Sequence, residues 1–299
     1  MLMTSGELNL LNQNNLLQNG YQFYHNIDSY DHLTRQGSLQ NPVLLHHHDF
    51  YEVYLFLSGK VNYLVENRTY PLTPGDILLI SPLELHQPHF EMSDENYDRI
   101  VLWVNEATLY RLSKPNISLL HCFPISGTPQ SIQTQGNNLF HLNSTDLICL
   151  LDLFQQFDKE LNISNHFSPL ILEALLTEIL CKINLFTNDK ADNLCSIPRM
   201  SEQVADTVDY INEHLSEPLT LDLLSKKCFI SKQHLLRCFK EAMGLSVHQY
   251  IQKKRLLLAH QLIQNSHSPK EAAILCGYSD YSVFYRAYKK EYQKSPSKI

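Results

Sequence analysis

The feature that most constrains this chain is a helical pattern that occurs twice near its C-terminal end, 49 residues apart. Leu235, Arg237, Phe239, Lys240 and Gly244 form the first copy. Phe284, Arg286, Tyr288, Lys289 and Gln293 form the second, and four of the five positions keep their chemical type. A repeat of this period marks one supersecondary unit used more than once.

Each copy follows a shorter segment with legible helix ends, so the repeated unit reads as a short helix, a tight turn and a second helix, the helix-turn-helix arrangement. In the first copy Thr220 reads as an N-cap, with Leu219 and Leu224 placed as a hydrophobic staple, and Ser231 caps the following helix. In the second, Ser268 and Glu271 have capping-box spacing, and Pro269 takes the first helical position, where a missing N–H costs nothing. Gly277 supplies the turn, and Ser279 or Asp280 starts the last helix.

Leu235, Cys238 and Phe239 stand at i, i+3 and i+4, a buried stripe that sends Gln233, Leu236, Arg237 and Lys240 outward. In the second copy Phe284 and Tyr288 are the buried pair, leaving Tyr281, Ser282, Tyr285, Arg286 and Lys289 exposed. Such an outward stripe suits a DNA major groove. Between the copies, Val247, Tyr250, Ile251, Leu258 and Leu262 keep a helical period. A helix of about 20 residues spans about 30 Å, close to the roughly 34 Å between successive major grooves on one face of DNA. From residue 218 onward there are 14 Lys and Arg against 5 Asp and Glu, a balance of +9 in a chain whose net charge is −7, so the preceding 217 residues carry −16. That asymmetry is expected of a DNA-binding module joined to a module of another kind. The competing reading is a helical bundle used in protein contacts, since fold alone does not fix function.

These residues resemble the tandem helix-turn-helix domain of AraC/XylS-type transcription regulators. The resemblance covers about 100 C-terminal residues and is most specific at Gly277-Tyr278 followed by Ser282, Phe284, Arg286, Tyr288, Lys289, Ser295 and Pro296. It implies double-stranded DNA as a partner, RNA polymerase as a second, and Gln233, Arg237, Lys240, Tyr281, Ser282, Tyr285, Arg286 and Lys289 as the DNA-contacting set. One departure is Gln293, which stands where the family has a helix-ending glycine and costs about 1 kcal/mol if the backbone there is left-handed. The other is that the sequence stops at Ile299, where family members continue.

A chain of 299 residues has room for two domains with separate cores. No run of about 18 apolar residues occurs, so no membrane span is expected. Asn9, Asn12, Gln13, Asn14 and Asn15 interrupt the N-terminal leucines, and no secretion signal is read there. The seven cysteines are odd in number and lack paired metal spacing, which points to reduced thiols and a cytoplasmic protein. Cys238 and Cys276 read as small core residues.

Residues 1–19 read as a loose tail. From Phe23 to about Pro124 short apolar or alternating runs prevail, clearest at Tyr51–Leu57, Val61–Val65, Ile77–Ile80 and Ile100–Val104. Ser58-Gly59, Glu66-Asn67 and Pro74-Gly75 mark turns between them. Strands this short at this spacing suggest a small barrel or jelly roll. The segment is similar to the cupin barrel. His46-His47-His48, three residues, Glu52, six residues and Gly59 match the first cupin motif. Gly75 through Pro82 to His86 matches the second imperfectly: Pro82 is one residue too close to His86, and the internal glycine and the later Asn are absent.

Strand alternation puts His46 and His48 on one face and His47 on the other. His46, His48, Glu52 and His86 are normal ligands for a divalent metal. The same groups suit sugar hydroxyls, with Tyr54 and Phe56 available to stack on a ring, and a purely structural cluster is the third reading. AraC-type sensor domains bind small organic effectors without a metal, so the resemblance implies an effector set of His46, His48, Glu52, Tyr54 and His86, a carbohydrate as the effector, and no metal or other cofactor.

After the polar stretch 128–138, Leu147, Leu150, Leu151, Phe154 and Phe157 form one helical stripe and Leu172, Leu175, Leu176, Ile179 and Ile183 another, joined by a turn at Asn162–Ser168. This hairpin either covers the barrel or, as the family resemblance implies, forms the contact of a homodimer. Thr187–Met200, with Pro198, reads as a linker. The expected protein is therefore an α+β multidomain regulator: a tail (1–19), a cupin-like sensor barrel (20–128), a helical hairpin (139–186), a linker (187–200) and an all-α tandem helix-turn-helix domain (201–299). It is read as a regulator and not an enzyme. The rivals are a metal-dependent cupin enzyme with a helical tail, and a regulator whose barrel binds nothing and serves dimerisation.

Overall fold

The computed structural model describes residues 19–28, 45–82, 84–91, 96–124, 138–163, 165–188 and 202–297. Most of the expected tail, linker and 128–138 loop lies outside the described residues. The chain divides into two compact units, the second built on Pro198–Ile299.

The first unit holds eight strands among its described residues: β1 (Tyr21–Asp28), β2 (Tyr51–Ser58), β3 (Val61–Val65), β4 (Arg68–Pro71), β5 (Asp76–Ile80), β6 (His86–Phe90), β7 (Tyr97–Val104) and β8 (Leu139–His141). They form a five-stranded sheet in the order β1-β7-β2-β5-β8 and a three-stranded sheet in the order β4-β3-β6. Helix α1 (Glu106–Leu112) follows β7, and α2 (Ser144–Leu161) and α3 (Ser168–Asn188) make the hairpin. The sheet takes residues 139–141, where the sequence pattern starts the hairpin.

The four strands legible in the sequence are near-continuous apolar runs because both of their faces are covered. Alternate residues part company: Val53, Leu55, Ile77, Leu79, Ile100 and Leu102 join one core with Leu150, Phe154, Phe157, Leu176 and Ile183 of the hairpin. Tyr54, Phe56, Leu78, Ile80, Val101 and Trp103 face the other way and join Tyr63, Val65 and Tyr70 of the second sheet. Glu52 shares the parity of Tyr54 and Phe56, so β2 delivers it to the interior between the two sheets.

The hairpin's apolar stripe is used to cover the sheet. Leu150, Phe154, Phe157, Leu172, Leu176, Ile179 and Ile183 are buried there, with Leu147, Leu151 and Leu175 packed against them. Of the two roles open to it, the stripe takes that of covering the barrel, and the apolar residues left exposed are others, among them Ile148, Phe167, Leu170 and Leu185. The turn is as expected: Asn165 Oδ1 accepts from the backbone N–H of Phe167 and of Ser168, which starts α3.

The second unit contains α4 (Glu202–Glu213), α5 (Leu221–Lys227), α6 (Lys232–Met243), α7 (Val247–Gln264), α8 (Pro269–Leu275) and α9 (Tyr281–Tyr292). Its helix ends are those that the side chains specify. Thr220 caps α5, Ser231 caps α6, Asp280 caps α9, and Ser268 with Glu271 closes a capping box ahead of Pro269. Ser246 and Gln249 form a second capping box, at the start of α7.

Helix α7 is the axis of this unit. Leu256, Leu257 and Ala259 are buried more deeply than the expected Leu258 and Leu262. The reason is that α7 packs against α6 of the first copy and α8 and α9 of the second, so no single stripe describes it. Arg255 on α7 donates from Nε to the Leu215 carbonyl at 2.8 Å and from Nη2 to the Glu217 carbonyl at 2.6 Å. Gly277, at φ +80°, passes close to the same carbonyl and guanidinium.

Candidate functional site

The two repeated helices present their predicted faces. On α6, burial of Leu235, Phe239 and Met243 leaves Gln233, Leu236, Arg237 and Lys240 exposed. Arg237 Nη2 donates to Nδ1 of His234, 3.2 Å away and one helical turn earlier, a neighbour visible in the sequence at i−3 but passed over. On α9, burial of Phe284, Ala287 and Tyr288 leaves Tyr281, Ser282, Arg286 and Lys289 exposed. Tyr285 is only half-buried and not fully outward, because it sits beside Phe284 at the margin of the buried stripe. Arg286 Nε donates back to the Ser282 carbonyl at 3.3 Å.

The copies differ in their turns. In the second, the left-handed residue is Gly277; in the first it is Phe229, at φ +54°, and its side chain is 95% exposed. By the 49-residue offset Phe229 corresponds to Tyr278, so the left-handed position slips by one residue between copies, which the pattern alone does not reveal.

In the first unit the predicted histidines and carboxylate come together. His46 exchanges two backbone hydrogen bonds with His86, at 3.1 and 2.9 Å, which lays the His46–His48 segment beside the start of β6. The His86 ring centroid is 4.2 Å from that of His46 and 4.7 Å from that of His48. Glu52 Oε2 lies 2.9 Å from His48 Nε2 and 3.9 Å from His86 Nε2. Both rings are held from behind: Nδ1 of His48 donates to the Phe50 carbonyl and Nδ1 of His86 to the Glu84 carbonyl, each at 2.8 Å. Glu84 is fixed in turn by the backbone N–H of Ser81, at 2.6 Å, and by Asn138. Burial, together with the neighbouring His46 and His48, holds His86 well below the ordinary histidine range, so its ring is neutral.

Trp103 donates from Nε1 to Glu52 Oε2 at 2.8 Å. Sequence reasoning missed it, because only the strand register, which pairs Glu52 with Trp103 across β2 and β7, puts it there. Tyr54 stands one layer away. Its hydroxyl bonds to that of Tyr97, and its ring packs 4.9 Å from Tyr63, which stacks 6.2 Å from His86. Phe56 is fully buried and presents no free ring face, contrary to its expected stacking role. Glu52, Tyr54 and His86 are at most 4% exposed.

No described helix is long and apolar enough to cross a membrane. A family model described as the AraC-like ligand binding domain matches residues 43–180, and one described as a helix-turn-helix domain matches residues 224–299. The probable transcriptional regulator LumQ of Photobacterium leiognathi is 29% identical over 272 residues, covering 88% of this chain and 94% of its own. The transcriptional activator RhaR of Mannheimia succiniciproducens is 24% identical, with 86% and 87% covered. Among solved structures, the DNA-binding domain of AdpA in complex with a target DNA is 26% identical, covers 32% of this chain and 88% of its own, and has a TM-score of 0.31.

Proposed function

Because the chain belongs to the AraC family of DNA-binding transcriptional regulators, we propose that its second unit reads a two-block operator through α6 and α9, and that its first unit biases this reading by binding a small effector. The observation that carries the proposal is the pair of exposed, basic faces in a repeated unit, Arg237 with Lys240 and Arg286 with Lys289. Arginine's planar fork suits guanine O6 and N7, and Gln233, Tyr281, Ser282 and Tyr285 offer hydrogen-bonding groups to neighbouring edges. Lys240 and Lys289 supply charge to phosphate. The 18-residue α7 is about 27 Å long, a span suited to adjacent turns of one DNA face.

For the effector, the mixed donors and acceptors of His46, His48, Glu52, Tyr54 and His86 suit a polyhydroxylated molecule such as a carbohydrate. Moving a population from 1:99 to 99:1 takes about 5.5 kcal/mol of differential binding, and a site closed to water is the kind that supplies such a difference. Self-association through exposed apolar residues of the hairpin, Ile148, Phe167, Leu170 and Leu185, would pair two such readers and raise avidity. The rival reading as an enzyme leaves the repeated basic faces without a purpose.

Selection of the full chain on random duplex DNA tests the proposal. It should enrich a site of two blocks with centres about 10 base pairs apart. Enrichment of no sequence, or of a single block, would overturn it.

A further inference from the structure

We propose that Val283 on α9 and Leu236 on α6 each read the 5-methyl group of a thymine, one in each block of the operator. The proposal rests on the reading of DNA by α6 and α9, and adds to it the base that two apolar side chains recognise.

Single exposed apolar residues are common on protein surfaces. These two are set apart by where they stand. Val283 is 45% exposed and Leu236 39%, and neither joins the buried stripe of its helix, Phe284, Ala287 and Tyr288 on α9 or Leu235, Phe239 and Met243 on α6. Both lie among the exposed polar and basic side chains of the reading faces. The base edges of the major groove offer hydrogen-bond donors, acceptors and one apolar group, the methyl of thymine. An apolar side chain turned into that groove therefore has one complementary partner. Elsewhere on the groove floor it would cover a donor or acceptor without replacing its water.

Helix geometry places each thymine relative to its neighbours. Val283 is in the first turn of α9, the part of a reading helix that meets base edges. It lies three residues before Arg286, about 4.5 Å along the axis and on nearly the same side, and base pairs succeed one another about every 3.4 Å. Its thymine thus falls within about two base pairs of the guanine that Arg286 contacts. Leu236 stands in one row between Gln233 and Lys240, three residues after the first and four before the second. The Gln233 amide suits adenine N6 and N7, so the Leu236 thymine belongs to the A·T pair that Gln233 reads or to the next pair.

The two copies differ at this place. By the 49-residue offset Val283 corresponds to His234, whose Nδ1 accepts from Arg237. In α6 the arginine is steered by a polar neighbour; in α9 that neighbour is apolar, and Arg286 turns back to the Ser282 carbonyl. Valine holds essentially one χ1 rotamer in a helix, so its methyl groups meet the groove in a fixed position. The blocks should consequently differ in sequence, with a thymine close to the arginine-read guanine in the α9 block and an A·T pair under the glutamine in the α6 block.

The test uses the full chain and the operator it selects from random duplex DNA, with each thymine replaced in turn by deoxyuridine, which pairs like thymine and lacks only the methyl. Burying one such group contributes about fourfold in affinity, so one thymine in each block should respond by about that factor and thymines outside the blocks should not. In Val283→Ala the response in the α9 block should fall below about twofold while that in the α6 block persists, and Leu236→Ala should do the converse. Far-UV circular dichroism verifies that both variants are folded; should either fail to fold, the wild-type scan decides. A block in which no thymine responds, or an undiminished response in a folded alanine variant, would overturn the proposal and leave the operator reading in place. Failure to select any operator would overturn the DNA reading and this proposal with it.

Discussion

Replacing Gly277 with alanine should destabilise the helical unit by about 2–3 kcal/mol. At φ +80° an L-residue pays about 1–2 kcal/mol that glycine does not. The added Cβ would also stand 2.7 Å from the Leu215 carbonyl oxygen and 2.9 Å from Arg255 Nη2. The carbonyl is backbone and cannot withdraw, so the guanidinium must move, loosening its bonds to Leu215 and Glu217. Hydrogen bonds from a charged donor are worth about 1.5–3 kcal/mol, and Arg255 is partly exposed, so the lower figure applies. The smaller conformational freedom of alanine in the unfolded chain returns about 0.5 kcal/mol. For a domain of roughly 100 residues the sum lowers the melting temperature by roughly 10–15 °C. Far-UV circular dichroism of the full chain follows the loss, because helices dominate the second unit. A double-mutant cycle sharpens the test: in an Arg255→Ala background the same substitution should cost at least about 1 kcal/mol less, since one of the two clashing groups is gone. A loss below about 1 kcal/mol in the wild-type background, or strict additivity with Arg255→Ala, would refute this reasoning.

Gln293 ends α9 at φ +54°, so Gln293→Gly should stabilise the same unit by about 0.5–1 kcal/mol, read as a raised melting temperature. Burial pushes the Cys122 and Cys276 thiols up to about 12, whereas Cys149 and Cys181 are partly exposed. Iodoacetamide at pH 8 should therefore label Cys149 and Cys181 well before Cys122 and Cys276, as peptide mapping would show. Hydrogen bonds from the Ser268 hydroxyl and backbone N–H hold Glu271 below its ordinary carboxyl value of 4.5. The folded form binds that proton less well than the unfolded one, so the cap's contribution is present above pH 4.5 and is lost as pH falls through the lower folded value. A carboxyl-carbon NMR titration should find the Glu271 midpoint depressed, and Ser268→Ala should raise it.

The second unit was legible nearly residue by residue because its signals are local. Caps such as Thr220, Ser231 and Ser268 act within three or four residues, and an amphipathic stripe such as Leu235 and Phe239 repeats within one turn. What escaped was set by packing from more than one side: the burial of Leu256 and Leu257 on α7, the half-burial of Tyr285, and the one-residue slip that puts Phe229 in the left-handed turn. In the first unit the apolar strands β2, β3, β5 and β7 could be read, but β1, β4, β6 and β8 are polar or very short and owe their state to their partners. The cluster of His46, His48, Glu52 and His86 followed from motif spacing. Trp103 did not, because cross-strand neighbours depend on register, and register is a property of the assembled sheet. The hairpin stripe was recognised as apolar, yet periodicity cannot say whether such a stripe meets the chain's own sheet or a second protomer.

The most direct test of the central claim is the affinity and sequence preference of Arg237→Ala and Arg286→Ala on the selected operator, measured across a salt series. Each arginine should cost about 1–3 kcal/mol and relax specificity in its own block alone, whereas Lys240→Ala and Lys289→Ala should weaken all sequences alike and lower the salt slope by about 1. If the double arginine variant, verified as folded, bound the operator with wild-type affinity and preference, α6 and α9 would not be the reading helices.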